Sequence, residues 1–337
     1  MMRALSFCWL VLICAGSLAT NLSVAKGEDS SLLAELKKYP CRIVHESYND
    51  GHWVLIVRNA DGSDPVVLTK AGVDANYPHV SPDGTKISFE CESGKGKAKR
   101  RDVYFMNFDG SGRTLVSEAA RDACWTPDGK AIVYLKDEVD ELQYRDFATK
   151  GLFLYDLASG KTEQHVNHDL QHLYNVCCTL DGKWFVSTVH AGMGYGHAIL
   201  AIETHGPKVF NLGIPGCRPD VSPDGKKIAW GADDTILRVA DFEVVDGAPK
   251  VTHARDVATS EHPVHCYHID WSPDSRYVAY SRGPTKKALL GMAPEVVGIK
   301  ADGWNICVAD VAKTNRSVMI TTDGSSNKEP DWFRAAK

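Results

Sequence analysis

The stretch Asn76–Cys91, NYPHVSPDGTKISFEC, decides the fold. Its centre is the phrase Ser81-Pro82-Asp83-Gly84. Related phrases stand at Thr126-Pro127-Asp128-Gly129, Thr179-Leu180-Asp181-Gly182, Ser222-Pro223-Asp224-Gly225 and Ser272-Pro273-Asp274-Ser275. Successive starts are 45, 53, 43 and 50 residues apart, a period that suits four-stranded blades. Pro presets φ for the second position of a tight turn, Asp tolerates the third, and Gly accepts a left-handed exit. A β-branched or aromatic run follows each phrase, as in Lys86–Phe89, Ala131–Tyr134, Trp184–Ser187, Lys227–Trp230 and Tyr277–Tyr280. Each phrase therefore reads as the hairpin between a first and a second strand.

Working outward, residues 26–40 read as a tether or short helix carrying Leu32, Leu33 and Leu36, and residues 41–337 as repeats. The first unit, from Cys41 to Thr69, lacks the phrase at its front. The missing front stands at the other end of the chain, where Glu329-Pro330-Asp331-Trp332 resembles Arg218-Pro219-Asp220-Val221. The expected architecture is all-β: a six-bladed propeller of four-stranded blades, with the C-terminal segment supplying the inner strand of the first blade. Such a splice removes exposed sheet edges. Two blades carry longer insertions, residues 137–150 and 283–300.

The totals narrow the function classes. A formal net charge of −5 argues against a nucleic-acid partner. Residues 1–25 read as a signal peptide, with Arg3 ahead of the apolar run Phe7–Ala15. No stretch reaches the length of a membrane span. The mature chain is expected to be periplasmic or secreted, and monomeric. Removing Cys8 and Cys14 leaves eight of ten cysteines, spread through the blades without a CxxC pair, which argues against covalent haem and a zinc ribbon. Cys217 and Cys266, at similar heights on neighbouring inner strands, are a candidate disulfide.

In a propeller the inner strands border the axis, and side chains alternate along a strand. Counting back from each turn phrase, the residues at −1 and −3 are mostly apolar and are expected between sheets. The −4 tier then faces the channel: Tyr77, Asp122, Asn175, Arg218, His268 and Glu329. So does the −2 tier: His79, Cys124, Cys177, Asp220, Asp270 and Asp331. The −4 tier is the candidate ligand site, with Arg218 and His268 available to an anion; the plain alternative is a water-filled polar channel. Asp220, Asp270 and Asp331 are candidate oxygen ligands for a divalent metal. His79, Cys124 and Cys177 are softer donors that suit zinc or copper. His168, His172, His190, His197, His265 and His268 are expected near one mouth, and His190, His197, His265 and His268 join the candidate metal ligands.

The pattern P-x-W-S-P-D-G-x-x-I-A-[FWY], best kept in Pro219–Trp230 and Ile269–Tyr280, resembles the WD40-like PD40 repeat of TolB-type six-bladed propellers. The resemblance covers residues 41–335. It implies a periplasmic location and a role in binding a protein partner or envelope ligand. TolB carries an N-terminal α/β domain, where this sequence has only residues 26–40. No G-x-S-x-G nucleophile elbow occurs. The alternative function is a metal-dependent polysaccharide-processing enzyme, resembling oligogalacturonate lyase in fold, that uses the His-rich mouth.

Overall fold

A computed structural model describes residues 29–69, 72–286 and 292–335. The expected signal segment, residues 1–25, lies outside the described residues. The rest forms six four-stranded antiparallel sheets in a ring.

Blade one takes its inner strand, Ser326–Phe333, from the end of the chain and continues with Arg42–Asn49, His52–Asn59 and Val66–Val67. Blade two is Ala75–Val80, Lys86–Ser93, Arg100–Asn107 and Thr114–Ser117. Blade three is Ala120–Trp125, Ala131–Asp137, Thr149–Asp156 and Thr162–Gln164. Blade four is Leu173–Cys178, Trp184–Gly192, Tyr195–Glu203 and Val209–Asn211. Blade five is Cys217–Val221, Lys227–Gly231, Ile236–Val245 and Ala248–Thr259. Blade six is Val264–Trp271, Tyr277–Pro284, Asn305–Asp310 and Ser317–Met319. The closing strand pairs Ile43 with Trp332 and Val44 with Asp331, as the splice requires.

The turn phrase works as a small hydrogen-bonded device. Ser81 Oγ donates to Asp83 Oδ1 (2.7 Å) and accepts the Lys86 N–H (2.9 Å), while Gly84 N–H returns to Ser81 O (2.8 Å). Thr126, Thr179, Ser222 and Ser272 make the same bond to the Asp two residues on. The last turn has Ser275 where the others have Gly, and it keeps a left-handed φ of 60°.

Apolar packing lies between neighbouring blades. Ile87, Phe89, Val44 and Phe333 join blades one and two, and Trp125, Val103 and Ile132 join two and three. Phe185, Val133 and Val176 join three and four, and Trp230, Val186 and Val221 join four and five. Trp271, Val239 and Val278 join five and six. The sixth junction, where the ring closes, is covered by a helix. Asp29 caps the helix Ser30–Leu36 by accepting the Ser31 and Leu32 N–H groups. Leu32 and Leu36 are buried with Ile43, Tyr277, Ile306 and Trp332. Arg316 of blade six holds Asp29 (3.0 Å), Glu35 (2.6 Å) and Asp310 (2.7 Å).

Candidate functional site: the axial cavity

Each inner strand contains a bulge at the same height. Pairing to the second strand shifts register between Asn76 and His79, Arg121 and Cys124, Tyr174 and Cys177, Cys217 and Asp220, and Tyr267 and Asp270. In blade one the partner strand shifts between Val44 and Glu46. The residue at the bulge is left-handed every time: Tyr77 (φ 49°), Asp122 (53°), Asn175 (50°), Arg218 (55°), His268 (55°) and Glu329 (50°). These are the six residues of the −4 tier. Second-strand side chains secure several of their N–H groups: Glu46 accepts from Tyr77, Glu90 from Asp122, the Thr188 hydroxyl from Arg218 and the Ser281 hydroxyl from Glu329. The bulge also interrupts strict alternation. The −3 residues Pro78, Val176, Pro219, Ile269 and Pro330 therefore border the channel rather than only packing between sheets.

A cavity of ≈ 490 Å³ occupies the axis. It runs out to the turn face, where Pro82, Pro127, Leu180, Pro223 and Pro273 border it. Its inner limit is the −4 tier, of which Tyr77, Asn175, Arg218, His268 and Glu329 line it and Asp122 does not. A chain of contacts bars the channel there. Arg218 pairs with Asp146, and its Nε donates to Asn175 Oδ1 (3.1 Å); Asn175 Nδ2 donates to the Tyr77 hydroxyl (2.9 Å). Beside it, His268 Nε2 lies 2.8 Å from Glu329 Oε1, and His268 Nδ1 is 3.1 Å from the Ser281 hydroxyl.

Beyond this floor the two insertions cover the inner-strand ends. Buried Arg121 donates to the carbonyls of Gln143 (2.8 Å) and Arg145 (2.9 Å). Buried Lys328 donates to those of Pro294, Val296 and Ile299 (3.2, 2.6 and 2.9 Å), and Arg101 to that of Val297 (3.0 Å). Residues 143–145 and 294–299 of these insertions are thus tied down by cations at one end of the channel. No periodic pattern marks these loops, so the sequence revealed their length but not their role.

The floor and wall combine ion pairs with carboxyl groups whose hold on a proton burial strengthens. Burial pushes Glu329 up to about 7 against the opposing Arg218 and Lys328 charges, and it pushes Asp220 up to about 7. Burial, with the charges of Asp331 and Asp220, raises Asp270 well above the carboxylate range. Burial and then the Arg218 charge hold His268 well below the ordinary imidazole value. Burial alone would lower His79 too, but its bond to Asp331 (2.9 Å) and the Asp331 charge leave it raised. The −2 aspartates also tie the ring. Asp220 accepts the Trp271 N–H (3.1 Å), Asp270 that of Trp332 (2.6 Å) and Asp331 that of Val80 (2.9 Å).

The remaining candidates are dispersed. Tyr174 and the ring of Phe147 gather part of the His set at the covered end. His197 Nε2 is 3.0 Å from the Tyr174 hydroxyl, His190 and His197 stack edge-on at 5.5 Å, and His190 lies 4.4 Å from Phe147. His172 joins them through Phe147 (6.2 Å) and reaches Glu138 (2.7 Å). His265 is elsewhere, beside Asp234 (3.7 Å), and His268 is in the floor. The expected set of His190, His197, His265 and His268 with the three aspartates is therefore not brought together. Among the described residues, no three His, Cys, Asp or Glu side chains form a ready metal nest. Cys217 and Cys266 are both free thiols rather than a disulfide: Cys266 packs into the core between blades five and six, while Cys217 packs beside Tyr267. The Gly192–Gly196 stretch is the hairpin between the strands Trp184–Gly192 and Tyr195–Glu203, with no helix after it, so it is not a dinucleotide turn.

No family model and no curated protein matches the chain. Solved structures do. TolB from Acinetobacter baumannii is 18% identical over 87% of this chain and 66% of its own, with a TM-score of 0.58. Kuenenia stuttgartiensis hydrazine synthase is 13% identical over 91% of this chain and 48% of its own, with a TM-score of 0.60. Oligogalacturonate lyase from Vibrio parahaemolyticus is more distant, 14% identical over 83% of this chain and 72% of its own, with a TM-score of 0.46. This chain spans 66% and 48% of the first two proteins, and what it shares with them is the TolB-like six-bladed propeller fold.

Proposed function

We propose that this chain is an exported binding module that takes a protein segment or envelope ligand into its axial cavity from the turn face. The observation that carries the reading is the shape and chemistry of the cavity. It is wide at the turn face, barred at the −4 tier by the Asp146–Arg218–Asn175–Tyr77 chain, and lined with donors and acceptors at two heights. Trp125, Trp271 and Trp332 border it among these polar groups, which suits a ligand that is part apolar and part polar. Export rests on the N-terminal apolar run and on the resemblance to TolB-type propellers. Among the described residues no helix is long and apolar enough to cross a membrane. N-terminal sequencing of the protein recovered from a cell fractionation checks export.

The binding test uses the rim. Leu180 is 56% exposed at the mouth, so Leu180→Trp narrows the entrance without disturbing the core. A thermal-shift screen of short peptides and acidic oligosaccharides, followed by indole fluorescence titration, is expected to yield a ligand. Its affinity is expected to fall at least tenfold in Leu180→Trp and to stay unchanged in His190→Ala and His197→Ala at the covered end. The opposite pattern would place binding outside the cavity.

A further inference from the structure

The −2 tier changes chemistry part-way round the ring. Asp220, Asp270 and Asp331 are hard oxygen groups, each engaged by a backbone N–H of the next blade. Cys177 keeps a weak version of that role toward the Val221 N–H. Cys124 does something different: its sulfur faces that of Cys178 on the neighbouring blade at 3.9 Å. Both are free thiols, 54 residues apart in sequence, and both border the cavity, as does Cys177.

A separation of 3.9 Å is well beyond a disulfide bond of about 2.05 Å. It is close to what one bridging ion needs. With metal–sulfur bonds of about 2.3 Å on each side, sulfurs at this separation subtend about 115° at the ion. That angle fits a three- or four-coordinate centre, not a linear one, and two protein sulfurs fall short of the three or four protein ligands that zinc takes. Both cysteines border the cavity, from which a solute ligand can supply a further position. Thiolate ligands select soft ions, copper(I) above all. The site needs no carboxylate or imidazole, in keeping with the dispersed histidines.

We propose that Cys124 and Cys178 hold a copper(I) ion in the cavity wall between blades three and four, a site independent of the ligand reading above. Binding replaces two S–H bonds by two S–Cu bonds and releases two protons to the solvent through the cavity, with no change of oxidation state.

The test is an anaerobic titration of the reduced mature protein with copper(I) against the chromophoric chelator bathocuproine disulfonate. The native protein is expected to withdraw one equivalent. Cys124→Ser and Cys178→Ser are each expected to lose at least 100-fold in affinity, and Cys266→Ser, in the core between blades five and six, to lose none. Thiol alkylation of the unmutated protein, mapped by mass spectrometry, removes dependence on variants that fold poorly. Copper is expected to protect Cys124 and Cys178 while Cys217 labels at an unchanged rate. Native protein that leaves all copper with the chelator, or equal labelling of Cys124 and Cys178 with and without copper, overturns the proposal.

Discussion

Six non-glycine residues hold a left-handed φ at one height around the axis. Each costs roughly 1–2 kcal/mol relative to ordinary backbone. Tyr77, Arg218 and Glu329 also precede proline, which restricts them further. Such bulges recur next to functional sites, and here they aim two successive tiers into the channel. Counting back from the turn phrase gave both tiers; five of the six −4 residues line the cavity floor, and Asp146, which pairs with Arg218 there, lies in an insertion outside the count. The count missed the bulge: Asp122, Asn175 and His268 are of types that tolerate left-handed backbone, but Tyr77, Arg218 and Glu329 are not, so the six share no common signal. For the same reason it misassigned the −3 prolines to the space between sheets.

Glu329 gives a test at this scale. In the unfolded chain it ionises near 4.5, and in the fold it holds its proton up to about 7. Its contribution to stability is therefore complete below about 4.5 and is lost as pH rises through about 7. Glu329→Gln keeps the shape of the protonated acid and does not titrate. Denaturant unfolding should show variant and native protein alike near pH 4.5. The variant should be more stable by on the order of 1–3 kcal/mol at pH 8. An equal difference at both pH values would show that Glu329 ionises normally.

At the scale of elements, the N-terminal helix and the two insertions do the joining work. The apolar pattern Leu32, Leu33, Leu36 left a tether or a short helix open; the place of the helix Ser30–Leu36 over the seam where the first and last blades meet depends on Arg316, almost three hundred residues away. Leu32→Ala empties a fully buried position and should lower unfolding free energy by about 2–4 kcal/mol. A smaller loss, within ordinary surface effects, would mean the helix only rests on the ring. Lys328→Met strips three insertion carbonyls and Glu46 of their cation. Limited proteolysis should then cut within residues 292–300 at protease levels that spare the native chain, with a stability loss of about 3–5 kcal/mol. Unchanged digestion would show that the covering loop does not depend on Lys328.

At the scale of the whole molecule, the fold was the most legible property. A turn phrase recurring at blade spacing sets the number of sheets, and the fragment Glu329–Trp332 shows where the count closes. The closure of one end of the channel was not legible, because irregular loops anchored on distant buried cations leave no local pattern. The grouping of His172, His190 and His197 was foreseen only as a general convergence, since the sequence places loops on a face without setting their distances. Everything assigned to the cavity, from Arg218 in the floor to Asp331 in the wall, depends on the C-terminal strand completing the first sheet.

Hydrogen exchange read by mass spectrometry tests that dependence directly. The amides of Ser326–Phe333, all buried, should exchange as slowly as those of Ala120–Trp125 and Val264–Trp271, and should be released in the same global unfolding event. Exchange of 326–333 at the rate of a free terminus, with the other inner strands still protected, would contradict the closed ring.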